Sequence, residues 1–161
     1  FNTSHPNRLI ERFEEGEITL GEVLLNPTRI YVNPLIDLIK SCREGTGPCG
    51  VRDLKAMAHI TGGGLSNLLR LHDQLGWHID TPLPTLPEFQ WLAEQGSVNS
   101  KEMHRTFNMG TGMMIAVSKE VAESVQSWLD ERLPGCRRIG FVHNEGRKVT
   151  HKNSEIVFEH Y

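Results

Sequence analysis

Residues 58–65 read Ala58-His59-Ile60-Thr61-Gly62-Gly63-Gly64-Leu65, an apolar run that meets three glycines and then a second apolar run. Residues 57–61 have the length of a buried strand, although periodicity alone leaves 53–61 ambiguous, and 65–71 has the composition of a short helix. Three consecutive glycines cost backbone entropy, each about 0.5–1 kcal/mol relative to alanine in a regular element. In return they allow positive φ and let a ligand approach the backbone closely. Backbone N–H groups at the start of a helix form an anion site that the helix dipole favours. Thr61 adds a hydroxyl and Asn67 an amide on the same side. A tight strand-to-helix turn with no ligand would use the same glycines. No Lys-Ser or Lys-Thr follows them and Gly-x-Gly-x-x-Gly is missing, so this is not a nucleotide P-loop.

Outward from this turn the chain alternates helix and strand. Upstream, Pro6 suits a first helical turn, and Leu9, Ile10 and Phe13 share one face until Gly16. Thr19 is placed to cap a short helix to Leu24, and 28–33 reads as extended or loop between two prolines. From Pro34, the residues Leu35, Leu38, Ile39 and Cys42 recur at helical spacing until the loop 45–48. Downstream, 77–80 reads as a strand, and the proline-rich 82–87 opens a helix with Phe89, Leu92 and Ala93 inward. Asn99 and Glu102 form a capping pair for a helix to Arg105. Residues 111–117 read as a strand, and Ser118 as the cap of a helix over 119–132 with Val121, Val125, Trp128 and Leu129 as its apolar stripe. The end reads as β, over 138–143, from Val149 onward and over 156–159. The fold class is α+β, a sheet of mixed connections with helices packed on it.

A second informative stretch is Met103-His104-Arg105-Thr106-Phe107-Asn108-Met109-Gly110-Thr111-Gly112-Met113-Met114. Gly110 and Gly112, at the entry to an apolar strand, bring a backbone close to something. Arg105 and Asn108 are its polar candidates, Arg105 being equally suited to a surface ion pair, whereas methionines more often fill core gaps.

At 161 residues the chain has the size of one domain, 1–161. Apolar residues make up 38%. Counting glycine and dropping tyrosine brings them near the roughly 45–50% of globular proteins. Seventeen basic against 20 acidic side chains give a net charge of −3, too balanced for the basic field of a nucleic-acid binder. No apolar run approaches the ~18 residues of a membrane span, and there is no signal pattern at the start. Cys42, Cys49 and Cys136 are too few and too scattered for a disulfide framework or a structural zinc site, which fits a reducing, cytoplasmic compartment. The eight histidines show no metal-ligand spacing, so no metal is expected. The chain opens on Phe1 rather than methionine, which leaves open both a removed leading segment and a fragment of a longer chain.

The segments 59–65 and Arg105-Thr106-Phe107-Asn108-Met109-Gly110-x-Gly112-Met113 closely resemble, in sequence and in order, the C-terminal half of the phosphoribosylformylglycinamidine cyclo-ligase family, also called aminoimidazole ribonucleotide synthetase. Leu25-x-Pro27-Thr28-Arg29-Ile30-Tyr31-Val32 looks like that family's Pro-Thr-Arg-Ile-Tyr segment and Ile139-Gly140 like its closing strand, so the resemblance spans residues 3–143. It implies a mixed β-sheet covered by helices on both faces, partly ferredoxin-like. It also implies a place in purine biosynthesis, in a ligase that phosphorylates the formyl oxygen of formylglycinamidine ribonucleotide with ATP. The neighbouring amidine nitrogen then closes the imidazole ring and expels phosphate. ATP and Mg2+ would be bound mainly by an N-terminal domain absent from this chain, and no cofactor is expected in this domain alone. The implied partners are a phosphoribosyl substrate, the chain's own N-terminal domain and a second copy in a homodimer, with no nucleic acid and no membrane. Thr61, Gly62, Gly63, Gly64 and Asn67 are the candidates for the substrate's phosphate. His5, Asn7, His59, Arg105, Asn108 and Gly110 are candidates for the rest of the cleft; no catalytic acid, base or metal ligand is assigned. Gly63→Ala is expected to weaken phosphate binding without unfolding the domain.

Two departures matter. The glycine-rich, acidic N-terminal half of the family pattern is missing, so the isolated chain is not expected to be active. The family's Gly-x-His-Ser-Asn-Gly junction appears only as Thr3-Ser4-His5-Pro6-Asn7-Arg8, where Pro6 and Arg8 stiffen and enlarge the loop. Two alternatives therefore stand beside the cyclo-ligase. One is another member of the superfamily of selenophosphate synthetase and thiamine-monophosphate kinase. The other is a stand-alone, non-catalytic binding or regulatory domain of the same fold.

Overall fold

A computed structural model describes residues 7–161, with side chains from residue 9 onward. Six helices and six strands follow one another: α1 (Asn7–Glu14), α2 (Leu20–Leu24), α3 (Val32–Glu44), β1 (Leu54–His59), β2 (Gly76–Ile79), α4 (Pro87–Gly96), α5 (Ser100–Thr106), β3 (Met113–Val117), α6 (Ala122–Asp130), β4 (Gly140–His143), β5 (Val149–His151) and β6 (Val157–Phe158). The class is α+β, and the strands divide between two sheets. β1 and β3 form an antiparallel pair, and the other four run in the order β4-β2-β5-β6. This second sheet is mixed, because β2 runs antiparallel to β4 and parallel to β5.

Local chemistry sets most boundaries. Thr19 and Glu22 form a reciprocal capping box, with the Glu22 amide donating to Thr19 Oγ1 at 3.2 Å and the Thr19 amide to Glu22 Oε2 at 2.7 Å. Asn99 Oδ1 accepts from the Glu102 amide at 2.9 Å and starts α5. α3 begins at Val32, two residues before Pro34, because the first turn of a helix needs no amide donor and tolerates proline there. It ends at Gly45 in the left-handed conformation.

Three expectations shift. The strand before the glycines covers Leu54–His59, earlier than 57–61. After the glycines the chain forms a 3₁₀ helix over Gly64–Arg70, not an α-helix, and it is buried. Ser118 makes no side-chain cap; a 3₁₀ turn at Lys119–Val121 precedes α6, which stops at Asp130.

The β1–β3 pair has apolar side chains on both faces, as the period of two demands when each face is covered. Met57, Met113, Ile115 and Val117 meet Leu35 and Leu38 of α3 and Val125 and Leu129 of α6. Ala58, Met114 and Ala116 point the other way, to Leu65, Leu68 and Leu69 of the 3₁₀ helix and to Trp77, Ile79, Val149 and Phe158 of the larger sheet. The 3₁₀ helix is thus wedged between the sheets. α1 lies outside this frame and reaches it through α4, where Phe13 and Trp91 meet edge to face at 5.5 Å. Among the described residues no helix is long and apolar enough to cross a membrane.

Leu69 is fully buried in this wedge, whereas Leu25 is 82% exposed. Leu69→Ala should cost about 2–5 kcal/mol in urea unfolding and Leu25→Ala almost nothing; equal effects would contradict this assignment of the core.

Candidate functional site

The glycine turn is held by its own neighbours. Gly63 (φ +99°) and Gly64 (φ +52°) occupy left-handed conformations that L side chains avoid. A Cβ on Gly64 would overlap the carbonyl of His104 and come within 2.8 Å of the Phe107 oxygen, so this residue lies directly against the end of α5. Gly62 faces open space, with nothing within 4 Å of such a Cβ. Asn67 is buried, and its side-chain nitrogen donates to the Gly64 carbonyl at 2.7 Å and to those of Thr61 and Gly62 at 3.4 Å. Ser66 Oγ donates to the Gly63 carbonyl at 2.7 Å. Asn67 therefore spends its amide hydrogens shaping the loop. The amides of Gly62 and Gly63 meet no backbone acceptor among the described residues, and Thr61 and Gly62 are exposed. A seven-residue 3₁₀ helix supplies little aligned dipole at this turn.

Separate segments converge around this turn. Tyr31 sets its ring 5.8 Å from that of His59, and a Cβ on Gly112 would strike the Tyr31 hydroxyl. Tyr31 is half-buried, and that burial raises its pKa above the ordinary 10. Arg29, two residues before it, donates to the Pro134 carbonyl at 2.9 Å and so anchors this segment. Asn108 Oδ1 accepts from the Gly110 amide at 3.0 Å, closing a turn in which Met109 (φ +49°) and Gly110 (φ +93°) are both left-handed. A Cβ on Gly110 would lie 3.1 Å from the Pro84 carbonyl. His59 and Arg105 are exposed. Asn7 opens α1, and His5 lies outside the described residues.

Two residues that sequence reasoning missed stand beside the loop. The Arg70 guanidinium lies 3.6 Å above the ring of Tyr161, and that ring is 3.3 Å from the position of a Gly63 Cβ. The Tyr161 ring thus joins the Arg70 cation to the glycine turn. No spacing rule links Tyr161 to residue 63, and Arg70 reads simply as the last polar residue of a short helix.

Beyond α5 lies a pocket of about 120 Å³ lined by residues including Leu65, Ile79, His104, Asn108, Met114 and His151. The rings of His104 and His151 are 5.1 Å apart. Burial, with His104, His78 and Lys152 nearby, lowers the His151 pKa from 6.5 to about 4. Neither this pocket nor the glycine turn presents a carboxylate, and among the described residues no three His, Cys, Asp or Glu side chains group to hold a metal. These residues do not fit a magnesium–nucleotide complex, which needs hard oxygen ligands.

Residues 4–152 match the family of AIR synthase related proteins, C-terminal domain. The chain is 39% identical over 131 residues to the phosphoribosylformylglycinamidine cyclo-ligase of Methanopyrus kandleri, covering 81% of this chain and 34% of that protein. It is 44% identical over 137 residues to the enzyme of the same name from Geobacillus kaustophilus, covering 83% and 37%. The Nitrosococcus oceani protein of that name gives 44% over 127 residues, 77% and 33%. The chain thus spans about a third of the length of the curated relatives it matches.

Gly63→Ala strains a left-handed residue and should cost about 1–2 kcal/mol of stability. Gly64→Ala adds a clash with backbone and should cost about 3 kcal/mol or more. Urea unfolding of the two variants checks the order, and Gly64→Ala matching Gly63→Ala would refute the close contact with α5. Because folding keeps His151 neutral, the unfolded chain binds the extra proton first as pH falls. Stability should therefore decline from pH 6.5 towards 4 and this contribution should then level off. His151→Phe should flatten that decline, as measured by urea midpoints across the range.

Proposed function

The chain belongs to the family of AIR synthase related proteins as their C-terminal domain, and from that membership we propose that it is the substrate-side part of an ATP-dependent phosphoribosylformylglycinamidine cyclo-ligase. The similarity to the curated relatives supports this reading over most of the chain's length. Its share of those relatives, about a third, supports assigning the activity to a longer chain. ATP and Mg2+ would sit on the N-terminal half of that chain, in the cytoplasm, and a homodimer would be the working assembly.

In this reading the domain holds the phosphoribosyl end of formylglycinamidine ribonucleotide. The observation that carries it is the turn at 61–64, where the Gly62 and Gly63 amides meet no backbone acceptor among the described residues and the Tyr161 ring links the turn to Arg70. Amide hydrogens and a guanidinium together suit a phosphate dianion, for which charge-assisted hydrogen bonds are the strong ones. The Arg70 guanidinium stacks on the Tyr161 ring, a cation–π contact that orders it. His59, Asn108 and Arg105 supply further polar groups from the neighbouring motifs.

ATP-dependent formation of aminoimidazole ribonucleotide should be found with the longest parent chain its gene encodes and not with the 161 residues alone. A folded parent without that activity would favour a non-catalytic binding domain, a reading that the altered junction at residues 3–8 also invites. Gly62→Ala has room for its methyl group and leaves the fold intact, so it isolates the loop. Together with Arg70→Ala, it should lower inorganic phosphate affinity about ten-fold in a calorimetric titration, the loss of one charge-assisted contact. Unchanged affinity in both variants would remove this turn from the phosphate site.

A further inference from the structure

Cys42 and Cys49 bring their thiols together where the chain leaves α3 on its way to β1. Their sulfurs lie 3.5 Å apart, in hydrogen-bond contact, and both cysteines are free. The turn between them holds that pair. Gly45 ends α3 in the left-handed conformation, and the amides of Thr46 and Gly47 both donate to the Ser41 carbonyl at 2.9 Å. Gly47 lies so close to the helix that a Cβ there would stand 2.7 Å from the Cys42 nitrogen and 3.0 Å from its sulfur. A bare backbone at residue 47 lets the turn close down on Cys42 and set Cys49 beside it.

The two thiols differ in access. Cys42 is buried in the core that α3 and α6 form on one face of the β1–β3 pair, whereas Cys49 is only partly buried. Burial raises the Cys49 pKa, and the Cys42 thiol and the Asp53 carboxylate raise it further. Low thiolate content slows the first reaction of this sulfur with an oxidant. Once Cys49 has reacted, the Cys42 sulfur already stands beside it, and the second step is intramolecular. Cys136 packs against the same core, yet makes no sulfur–sulfur contact among the described residues.

We propose that Cys42 and Cys49 form a reversible disulfide on exposure to a hydroperoxide, a covalent staple across the turn after α3 that leaves Cys136 free. The Cys49 thiolate attacks one oxygen of the hydroperoxide and the O–O bond breaks. A sulfenic acid forms on Cys49, and an alcohol departs, or water when the oxidant is hydrogen peroxide. The Cys42 sulfur then attacks the Cys49 sulfur and displaces hydroxide, which leaves as water with the Cys42 proton. The two thiols together lose two electrons to the peroxide, and one S–S bond replaces two S–H bonds. The sulfurs approach by about 1.5 Å to reach the ~2.05 Å of a disulfide. A hydroperoxide suits a partly buried sulfur because it is small, whereas a disulfide oxidant must bring a whole second sulfur into line. The proposal does not rest on the cyclo-ligase reading.

Peptide mass mapping of the 161-residue chain after treatment with hydrogen peroxide and alkylation tests it. Trypsin cuts after Arg43, between the two cysteines, so the disulfide joins the peptides Ser41–Arg43 and Glu44–Arg52. That linked pair should exceed every product cross-linked through Cys136 by at least about ten-fold, the advantage of neighbouring sulfurs. Titratable thiols should fall from three to one, and dithiothreitol should restore all three. Cys42→Ala lacks the second sulfur, and dimedone should then trap the sulfenic acid on Cys49. Mapping of the wild-type chain decides the matter even if that variant does not fold. Cross-links through Cys136 in equal amount, or Cys49 oxidised to sulfinic acid with Cys42 still a thiol, would overturn the proposal. Faster cross-linking by oxidised glutathione than by hydrogen peroxide at equal concentration would overturn the hydroperoxide as its oxidant.

Discussion

The contact on which the rest of the molecule depends is between Gly64 and the backbone at the end of α5, with the His104 and Phe107 carbonyls where a side chain would otherwise stand. This contact lets the 3₁₀ helix sink between the two sheets, so that Leu65, Leu68 and Leu69 fill the core common to both. With the helix in place, the preceding Gly62 and the following Arg70 are left exposed, and the Gly62 and Gly63 amides meet no backbone acceptor among the described residues. The same contact fixes α5, whose His104 faces the pocket on its other side. One missing Cβ thereby sets the glycine turn and one wall of the pocket at once.

Rigidity at that turn comes from within. Asn67 and Ser66 bind the loop's carbonyls and leave its amides available. A loop that satisfied its amides internally would have the same shape and nothing to offer an anion. The second motif is organised in the same way, since Asn108 ties down Gly110 through its Oδ1 and also lines the pocket. In both motifs the asparagine shapes the backbone first, and the ligand-facing groups are what remain.

Much of this was legible in the sequence. The capping pairs Thr19–Glu22 and Asn99–Glu102, the glycine stop of α3 and the apolar stripe of α6 are local signals, and local hydrogen bonding decides them. The run at 53–61 was ambiguous because β1 is covered on both faces, which removes the alternation that marks a half-buried strand. The 3₁₀ character of 64–70 was not legible, for its cause is tertiary; the approach to α5 tightens the turn. Arg70, Tyr161 and the His104–His151 pair were missed for a related reason. Tyr161 meets Gly63, and His151 meets His104, across long stretches of chain that carry no shared periodicity.

Charge separates the two polar regions more sharply than distance does. At the surface Arg70 and the open amides present positive potential, and solvent keeps the cation cheap to hold. Inside, burial opposes the charged form of His151, whose Nδ1 accepts from the Asn153 amide, while His104 Nδ1 lies against the Ser100 carbonyl. The two regions therefore differ in their polar groups, although a single helix end, at His104, touches both.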